Sequence, residues 1–205
     1  MKIKISVIIP IFNREKYIAR CLRSLLNQSM AKNNYEIIVI NDGSKDGTKN
    51  ILNLFKNTFR QKIYVIENKK NLGLPASLNK GIRASKGKYI VRVDSDDYVN
   101  CNFLLILHMM ISLNDEYSGV ACDYYLVNNK EKVLRQANCE NEPIGCGIMF
   151  EKKHMIKVGL YNEDYLINEE KEFRERYVKR YTLGRLSIPL YRYRRHTKNM
   201  TNYND

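Results

Sequence analysis

Residues 92–98 read Arg-Val-Asp-Ser-Asp-Asp-Tyr, so Asp94, Asp96 and Asp97 fall within four positions. A surface turn would tolerate them, because Asp is common in turns. The chemical alternative is a hard cation such as Mg²⁺ or Mn²⁺, which takes carboxylate and phosphate oxygens together. Asp94 and Asp96 point to one side if the strand before them continues, so both could face a ligand. A second polar group is Asn41-Asp42, followed by Gly-Ser-Lys-Asp-Gly. It begins like a calcium loop, but the twelfth position, where such a loop needs a bidentate Glu, is Asn53. A turn and helix N-cap from Ser44 or Asp46 explains Gly43, Gly47 and Thr48. It does not explain Asn41 and Asp42, whose side chains could read a nucleobase or ribose. A third group, Glu169-Glu170-Lys171-Glu172, opens a helical pattern. Carboxylates there complement a helix dipole, or one of them serves as a general base. Finally, residues 174–198 hold nine Lys/Arg against one acid, Glu175. Arg192, Arg194, Arg195 and His196 are dense enough to hold a diphosphate or an anionic acceptor. His196 could be a metal ligand; His108 and His154 lack a supporting pattern and read as structural.

These groups need elements to position them. Residues 3–9 form an apolar run stopped by Pro10, and 35–40, 63–66 and 89–93 are three more strand-like runs. Helical spacing falls between them at 15–28, 48–59 and 75–85, with Pro75 in a first turn. Strands apolar throughout and alternating with helices imply an α/β fold: a mostly parallel central sheet covered by helices on both faces. Ligands of such sheets bind beyond the carboxyl ends of strands. Asn13, Asn41-Asp42 and Asp94 to Asp97 all lie there. The second half reads as a helix at 103–113, strands at 119–127 and 131–136, a Gly-punctuated segment at 143–150, a helix at 169–181 and a strand at 185–193. This predicts a small antiparallel or irregular element beside the parallel sheet.

The 205 residues suit one domain, with residues 1–98 as a ligand-binding half and 99–205 as the other half with a basic tail. The net charge of +13 favours phosphorylated ligands, polyanions or anionic membrane surfaces. Five cysteines, none in C-x-x-C spacing, argue against a disulfide framework and for a reducing cytoplasm. No stretch approaches the ~20 apolar residues of a membrane span, so any membrane association is expected to be peripheral.

Together the motifs resemble the family 2 inverting glycosyltransferases of the GT-A fold. S-V-I-I-P-I-F-N-R-E-K-Y-I, I-I-V-I-N-D-G-S-K-D-G-T, N-L-G-L-P-A-S-L-N-K-G-I, G-K-Y-I-V-R-V-D-S-D-D, V-G-L-Y-N-E-D with E-E-K-E-F, and Y-R-Y-R-R-H-T-K-N-M-T follow in that family's order. The resemblance implies that Pro10, Phe12, Asn13 and Glu15 line a nucleotide pocket. It places Asn41 and Asp42 on the base, Asp94 on ribose or sugar, and Asp96 on a Mn²⁺ or Mg²⁺ that bridges the diphosphate. Glu170 matches the catalytic base, with Glu169 beside it as the other candidate. Arg195 and His196 match a tail that closes over the diphosphate. The implied partners are a nucleotide-diphosphate sugar, UDP-linked first of all, and a glycan or lipid-linked acceptor in surface polysaccharide synthesis. Two rivals stand beside this reading. A sugar-phosphate nucleotidyltransferase would need a Gly-rich basic loop after the first strand, where Ile11-Phe12-Asn13 stands instead. A nucleic-acid binder would need aromatic and basic residues alternating on an exposed face, which only Tyr191-Arg-Tyr-Arg-Arg does.

Overall fold

A computed structural model of the chain describes residues 3–165 and 167–196. It opens with strands β1 (Ile5–Ile11), β2 (Tyr35–Asn41), β3 (Ile63–Glu67) and β4 (Tyr89–Arg92). Helices α1 (Ile18–Leu26), α2 (Thr48–Thr58) and α3 (Leu74–Ala84) connect them. All four strands pair in parallel, in the order β3-β2-β1-β4. Successive side chains point to opposite faces of a strand, and the core divides accordingly. Val7, Ile9 and Ile11 pack on one face with Leu22 and Leu25 of α1 and Leu52 of α2. Ile8, Ile38 and Ile40 pack on the other with Leu78 and Ile82 of α3. β1, β2 and β4 are covered on both faces, which is why they read as nearly unbroken apolar runs, while the edge strand β3 leaves Tyr64 and Glu67 exposed.

The first strand does not stop before Pro10 as the sequence predicts; it runs through to Ile11. Ile8 accepts the Val93 N–H and Ile11 accepts the Asp42 N–H, so alternate residues bond to opposite neighbours. Pro10 therefore faces the β4 side, where the ladder has already ended at the pairing of Ile8 with Arg92. The missing N–H costs no ladder bond there.

The second half contributes β5 (Tyr98–Val99), α4 (Phe103–Leu113), β6 (Gly119–Val127), β7 (Val133–Ala137), β8 (Ile148–Glu151), α5 (Lys152–Lys157), α6 (Glu169–Val178) and β9 (Leu183–Arg194). These strands extend the same sheet, in the order β4-β8-β6-β9-β5, with β7 along the other stretch of β6. The pairs β4–β8, β6–β8, β6–β7 and β5–β9 are antiparallel, and β6–β9 is parallel. The antiparallel element the sequence predicts is thus the outer part of one continuous sheet. α4 packs on the α1 and α2 side through Phe103, Leu104 and Leu107. α6 packs on the α3 side through Phe173 and Tyr177, and its first turn thereby reaches the rim where β4 ends.

Candidate active site

Beyond the carboxyl ends of β1, β2 and β4 lies a cleft of about 410 Å³. That volume falls within the range of small-molecule sites. Pro10 and Phe12 enter it from β1 and its end, Asp42 from the end of β2, and Asp94 and Asp96 from the turn after β4. Glu169 and Glu170 close it from α6. Phe12 is 39% exposed and offers an open ring face at the mouth.

Three residues expected on the ligand brace the loops around the cleft. Asn13 adopts the left-handed conformation (φ 52°). Its N–H donates to Ser44 Oγ (3.0 Å) and its side-chain oxygen accepts the Lys45 N–H (2.8 Å). Glu15 Oε2 accepts the Gly47 N–H at 2.6 Å. Asn41 donates to Glu67 (2.8 Å) and accepts the Ser44 N–H (3.2 Å). None of the three is among the cleft-lining residues. Only Asn41 is buried, so leaving its partners unpaired would be costly there, whereas Asn13 and Glu15 are exposed. Asp42 does both jobs. It lines the cleft, and its carboxylate accepts the N–H groups of Leu72 and Gly73, each at 2.9 Å, together with Asn68 Nδ2 at 2.8 Å. It pins the loop ahead of α3, where Gly73 holds φ 92°.

The three acids of the opening motif have three environments. Asp94 accepts two bonds from Arg92, at 2.6 and 3.2 Å, and Arg92 Nη1 continues to Glu169 Oε1 at 2.9 Å. Asp96 Oδ2 accepts from Arg14 Nε at 3.3 Å and lies 3.0 Å from His196 Nε2. Burial pushes the Asp96 carboxyl up, but the His196 hydrogen bond and the nearby Arg14 charge outweigh it and hold it below the usual Asp range. Tyr17 stacks on the His196 ring at 5.1 Å between centroids. Asp97 turns away from the cleft. It accepts the Tyr191 hydroxyl (2.8 Å) and the Arg194 N–H (2.7 Å), and Arg194 Nε in turn donates to the Asp96 carbonyl (2.8 Å). Burial, with the Asp96 and Asp94 charges, raises Asp97 far above the usual range. Asp97 fastens β9 to the acidic turn, so the last of the three acids is a structural strut.

Sequence puts Glu170 first with Glu169 beside it, and the structure gives the two different surroundings. Glu169 is 3% exposed and ion-paired to Arg92. Glu170 is half-buried on the cleft wall, and its carboxyl is raised by burial first and by the neighbouring Glu169 charge second. Gly145 makes room for it: a Cβ there would lie 2.9 Å from both Glu170 Cβ and Arg92 Nη1.

Two groups could be considered for a divalent cation. Asp94, Asp97 and Cys146 bring ligand atoms within 4.8 Å of one another. That group fits poorly. Both Asp97 oxygens have donors, burial raises the Cys146 thiol well above its usual value, and hard cations prefer oxygen to sulfur. The Asp96–His196 corner offers the oxygen and nitrogen ligands such a cation takes, but Asp96 Oδ2 already meets His196 Nε2 at 3.0 Å and Arg14 Nε at 3.3 Å, so a cation held there would replace the His196–Asp96 hydrogen bond.

Two functional side chains escape sequence reading. Arg14 lies inside the first loop motif, and its contact with Asp96 spans 82 positions. Arg92 sits in a strand pattern that gives no hint of an interior guanidinium between two carboxylates. Arg195 is exposed and its N–H donates to Val127; residues 197–201, the end of the tail motif, lie outside the described residues. The Tyr-Arg-Tyr-Arg-Arg stripe is not an outward basic face, because Tyr191 is fully buried and Arg194 is 3% exposed. That removes the aromatic and basic alternation a nucleic-acid binder would need, and leaves that rival only the net charge of +13.

Residues 6–198 match the family model for glycosyl transferase family 2. The chain belongs to glycosyltransferase family 2. Similar relatives include a poly(ribitol-phosphate) beta-glucosyltransferase of Bacillus spizizenii, 47% identical over 50% of this chain and 16% of that protein. Another is the putative glycosyltransferase EpsH of Bacillus subtilis, 36% identical over 58% of this chain and 33% of that protein. The chain thus spans a third or less of these relatives' length. Among solved structures, S. aureus TarS 1–349 in complex with UDP-GlcNAc superposes with a TM-score of 0.82 over 98% of this chain and 61% of TarS, at 23% identity. The mannosyltransferase PcManGT of Pyrobaculum calidifontis, in complex with GDP-Man and Mn²⁺, gives 0.80 over 99% of this chain and 60% of its own, at 15% identity. These likenesses carry the GT-A fold. Among the described residues no helix is long and apolar enough to cross a membrane, and the five cysteines are free thiols.

Proposed function

We propose that this family 2 chain transfers a sugar from a nucleoside-diphosphate sugar to an acceptor hydroxyl, with inversion at the anomeric carbon. One observation carries the reading. A single cleft holds a carboxyl with raised proton affinity, Glu170, and, apart from it, an acidic corner where Asp96 meets the Arg14 guanidinium, with His196 behind it. Inverting transfer is one in-line displacement. The acceptor oxygen bonds to the anomeric carbon, the bond from that carbon to the diphosphate breaks, and the acceptor proton goes to Glu170. Arg92 holds Glu169 and Asp94 in fixed positions, so of the two α6 carboxyls that line the cleft Glu170 is the one left to receive the proton. Asp94 faces the donor's ribose or sugar. Arg14 supplies positive charge toward the leaving diphosphate. A Mn²⁺ or Mg²⁺ held by Asp96 and His196 would neutralise the charge that develops on that diphosphate.

TarS was solved with UDP and with UDP-GlcNAc, which supports a UDP-sugar donor. Relatives named for poly(ribitol-phosphate) and teichoic acid support an acceptor in bacterial surface-polymer synthesis, glycan or lipid-linked. The net charge of +13 suits such an anionic or membrane-borne acceptor and a place at the inner face of the cell membrane. The experiment is calorimetric titration of UDP-GlcNAc and UDP-glucose in MnCl₂. Asp96→Ala should weaken the Mn²⁺-dependent part of donor affinity by about tenfold or more, in the range of losses for metal-site substitutions. Donor affinity unchanged in Mn²⁺ would show that Asp96 does not hold the cation.

A further inference from the structure

The cleft lies at one end of the parallel strands, and acids line it: Asp42, Asp94, Asp96, Glu163, Glu169 and Glu170. The opposite end is basic. β1 to β4 begin there, and β8 finishes there with Glu151 paired to Tyr89. Lys4, Lys32, Lys86 and Lys88 precede these strands, Lys153 and Lys157 follow β8, and all six are exposed. A cation in a helix's last turn complements the helix dipole, which accounts for Lys56 and Arg83. Lys4, Lys86 and Lys88 have no such reason, since they stand ahead of strands. The nearby acids offset only part of the charge. Glu36 is buried, and its Oε1 accepts from Ser6 Oγ and from the Lys86 N–H, each at 2.7 Å. Glu151 is shared between Lys88 at 3.2 Å and Lys153 at 2.8 Å. Asp115 and Glu116 are exposed just before β6. Lys62, ahead of β3, is lowered to about 8 by burial first and by the Lys32 charge second. Exposed apolar side chains are interleaved with these cations. Lys86 Nζ lies 5.3 Å from the centre of the Tyr64 ring. Ile156 sits between Lys153 and Lys157 on α5. In α4 the His108 ring meets the Tyr89 ring at 5.5 Å, so the last residue of that helix, Leu113, also reaches this end, where it is 75% exposed.

We propose that this basic end docks the protein on an anionic lipid surface, with the cleft facing away from the membrane. The negative surface of a bilayer attracts lysines held close to it, and exposed Leu, Ile and Tyr side chains enter the boundary between headgroups and acyl chains. A soluble polyanion would engage the lysines and leave those apolar side chains in water. It would also be held at the end of the sheet away from Glu170. The acidic cleft rim is repelled by the surface that attracts the other end, so charge sets orientation as well as attraction. The seven residues of β1 separate the two ends by about 23 Å, at ~3.3 Å per residue. On the reading that the cleft transfers sugar, the acceptor hydroxyl is therefore met well above the lipid headgroups. That fits an acceptor whose sugar end extends from the surface, and not one whose reacting sugar lies among the headgroups.

The test is flotation of the folded protein with vesicles of phosphatidylcholine alone and of phosphatidylcholine mixed with phosphatidylglycerol. The wild type should float with the anionic vesicles and not with the neutral ones. The triple variant Lys86→Glu, Lys153→Glu, Lys157→Glu should weaken that binding about tenfold or more. A second triple variant, Lys45→Glu, Lys69→Glu, Lys70→Glu, makes the same change of net charge at exposed positions beyond the carboxyl ends of β2 and β3, and should leave binding nearly unchanged. Melting curves like that of the wild type show that both are folded. Leu113→Ser with Ile156→Ser should also weaken binding. No binding of the wild type to anionic vesicles, or an equal loss in both triple variants, would overturn the docking face. Undiminished binding by the Leu113 and Ile156 variant would point to a soluble polyanion instead and would overturn the membrane assignment. Vesicle-bound protein should take up UDP-GlcNAc as tightly as free protein does, and a cleft closed off by the vesicle would overturn the orientation. If UDP-GlcNAc, UDP-glucose and GDP-mannose all fail to bind the free protein, the sugar-transfer reading falls, and flotation still decides the docking.

Discussion

Glu170→Gln should lower the transfer rate by roughly 10²–10⁴-fold while leaving the affinity for the nucleotide sugar unchanged. Gln keeps the size and polarity of the side chain and loses only the capacity to take a proton. The same change at Glu169 should act differently, because Glu169 is buried against Arg92 and its loss disturbs packing and charge before chemistry. The pH dependence follows from direction alone. Glu170 is raised above the usual Glu value by burial and by Glu169, and a base must be ionised to work. The rate should therefore fall with decreasing pH at a point above the ordinary Glu range, and that limb should vanish in Glu170→Gln. The sign for stability is opposite. A raised carboxyl contributes stability below its unfolded-state pKa and loses it as pH rises through the folded value. A permanently neutral Gln avoids that loss, so the variant should be no less stable than the wild type at neutral pH. A rate limb unchanged by Glu170→Gln, or a collapse caused by Glu169→Gln alone, would place the base elsewhere.

The second large effect is on folding. Arg92 joins Asp94 and Glu169 with side-chain exposures of 11%, 24% and 3%. Removing one partner from such an arrangement strands charge in the interior, at a cost of about 3–5 kcal/mol. Arg92→Met should therefore lower the stability measured by urea unfolding by that order, despite adding an apolar side chain. Arg92→Lys should lose less, because it keeps the charge but not the planar fork that grips Asp94 through two bonds. A loss below about 1 kcal/mol for Arg92→Met would mean that Glu169 and Asp94 do not depend on the guanidinium.

What sequence reveals and what it hides have physical reasons here. β1 to β4 and their helices are visible because doubly covered strands must be apolar throughout and each helix must show one apolar stripe. The rim residues are visible for the same reason: polar side chains directly after Ile40 and Val93, and at Asn13 just past Phe12, break those runs at the carboxyl ends. β5 and α5 are missed because two and six residues hold too little of any period. Pro10 misleads because the sequence does not say which side of β1 still needs an N–H. The roles of individual acids are hidden for a deeper reason. Asp94, Asp96 and Asp97 differ only in what reaches them from Arg92, Arg14, His196 and Tyr191, and most of those contacts span eighty residues or more of chain. Asn13, Glu15 and Asn41 share that fate, since nothing local says whether a polar side chain braces a neighbouring loop or faces a ligand.

The most direct test of the nucleotide-sugar site is a thermal-shift panel of UDP-glucose, UDP-GlcNAc, GDP-mannose and free UDP, each with Mn²⁺ and with EDTA. A ligand that binds only the folded state raises the melting temperature by mass action. At least one nucleotide sugar should stabilise the protein in Mn²⁺ and do so much less in EDTA. No stabilisation by any of the four in Mn²⁺, with the protein folded, would contradict a donor site in this cleft.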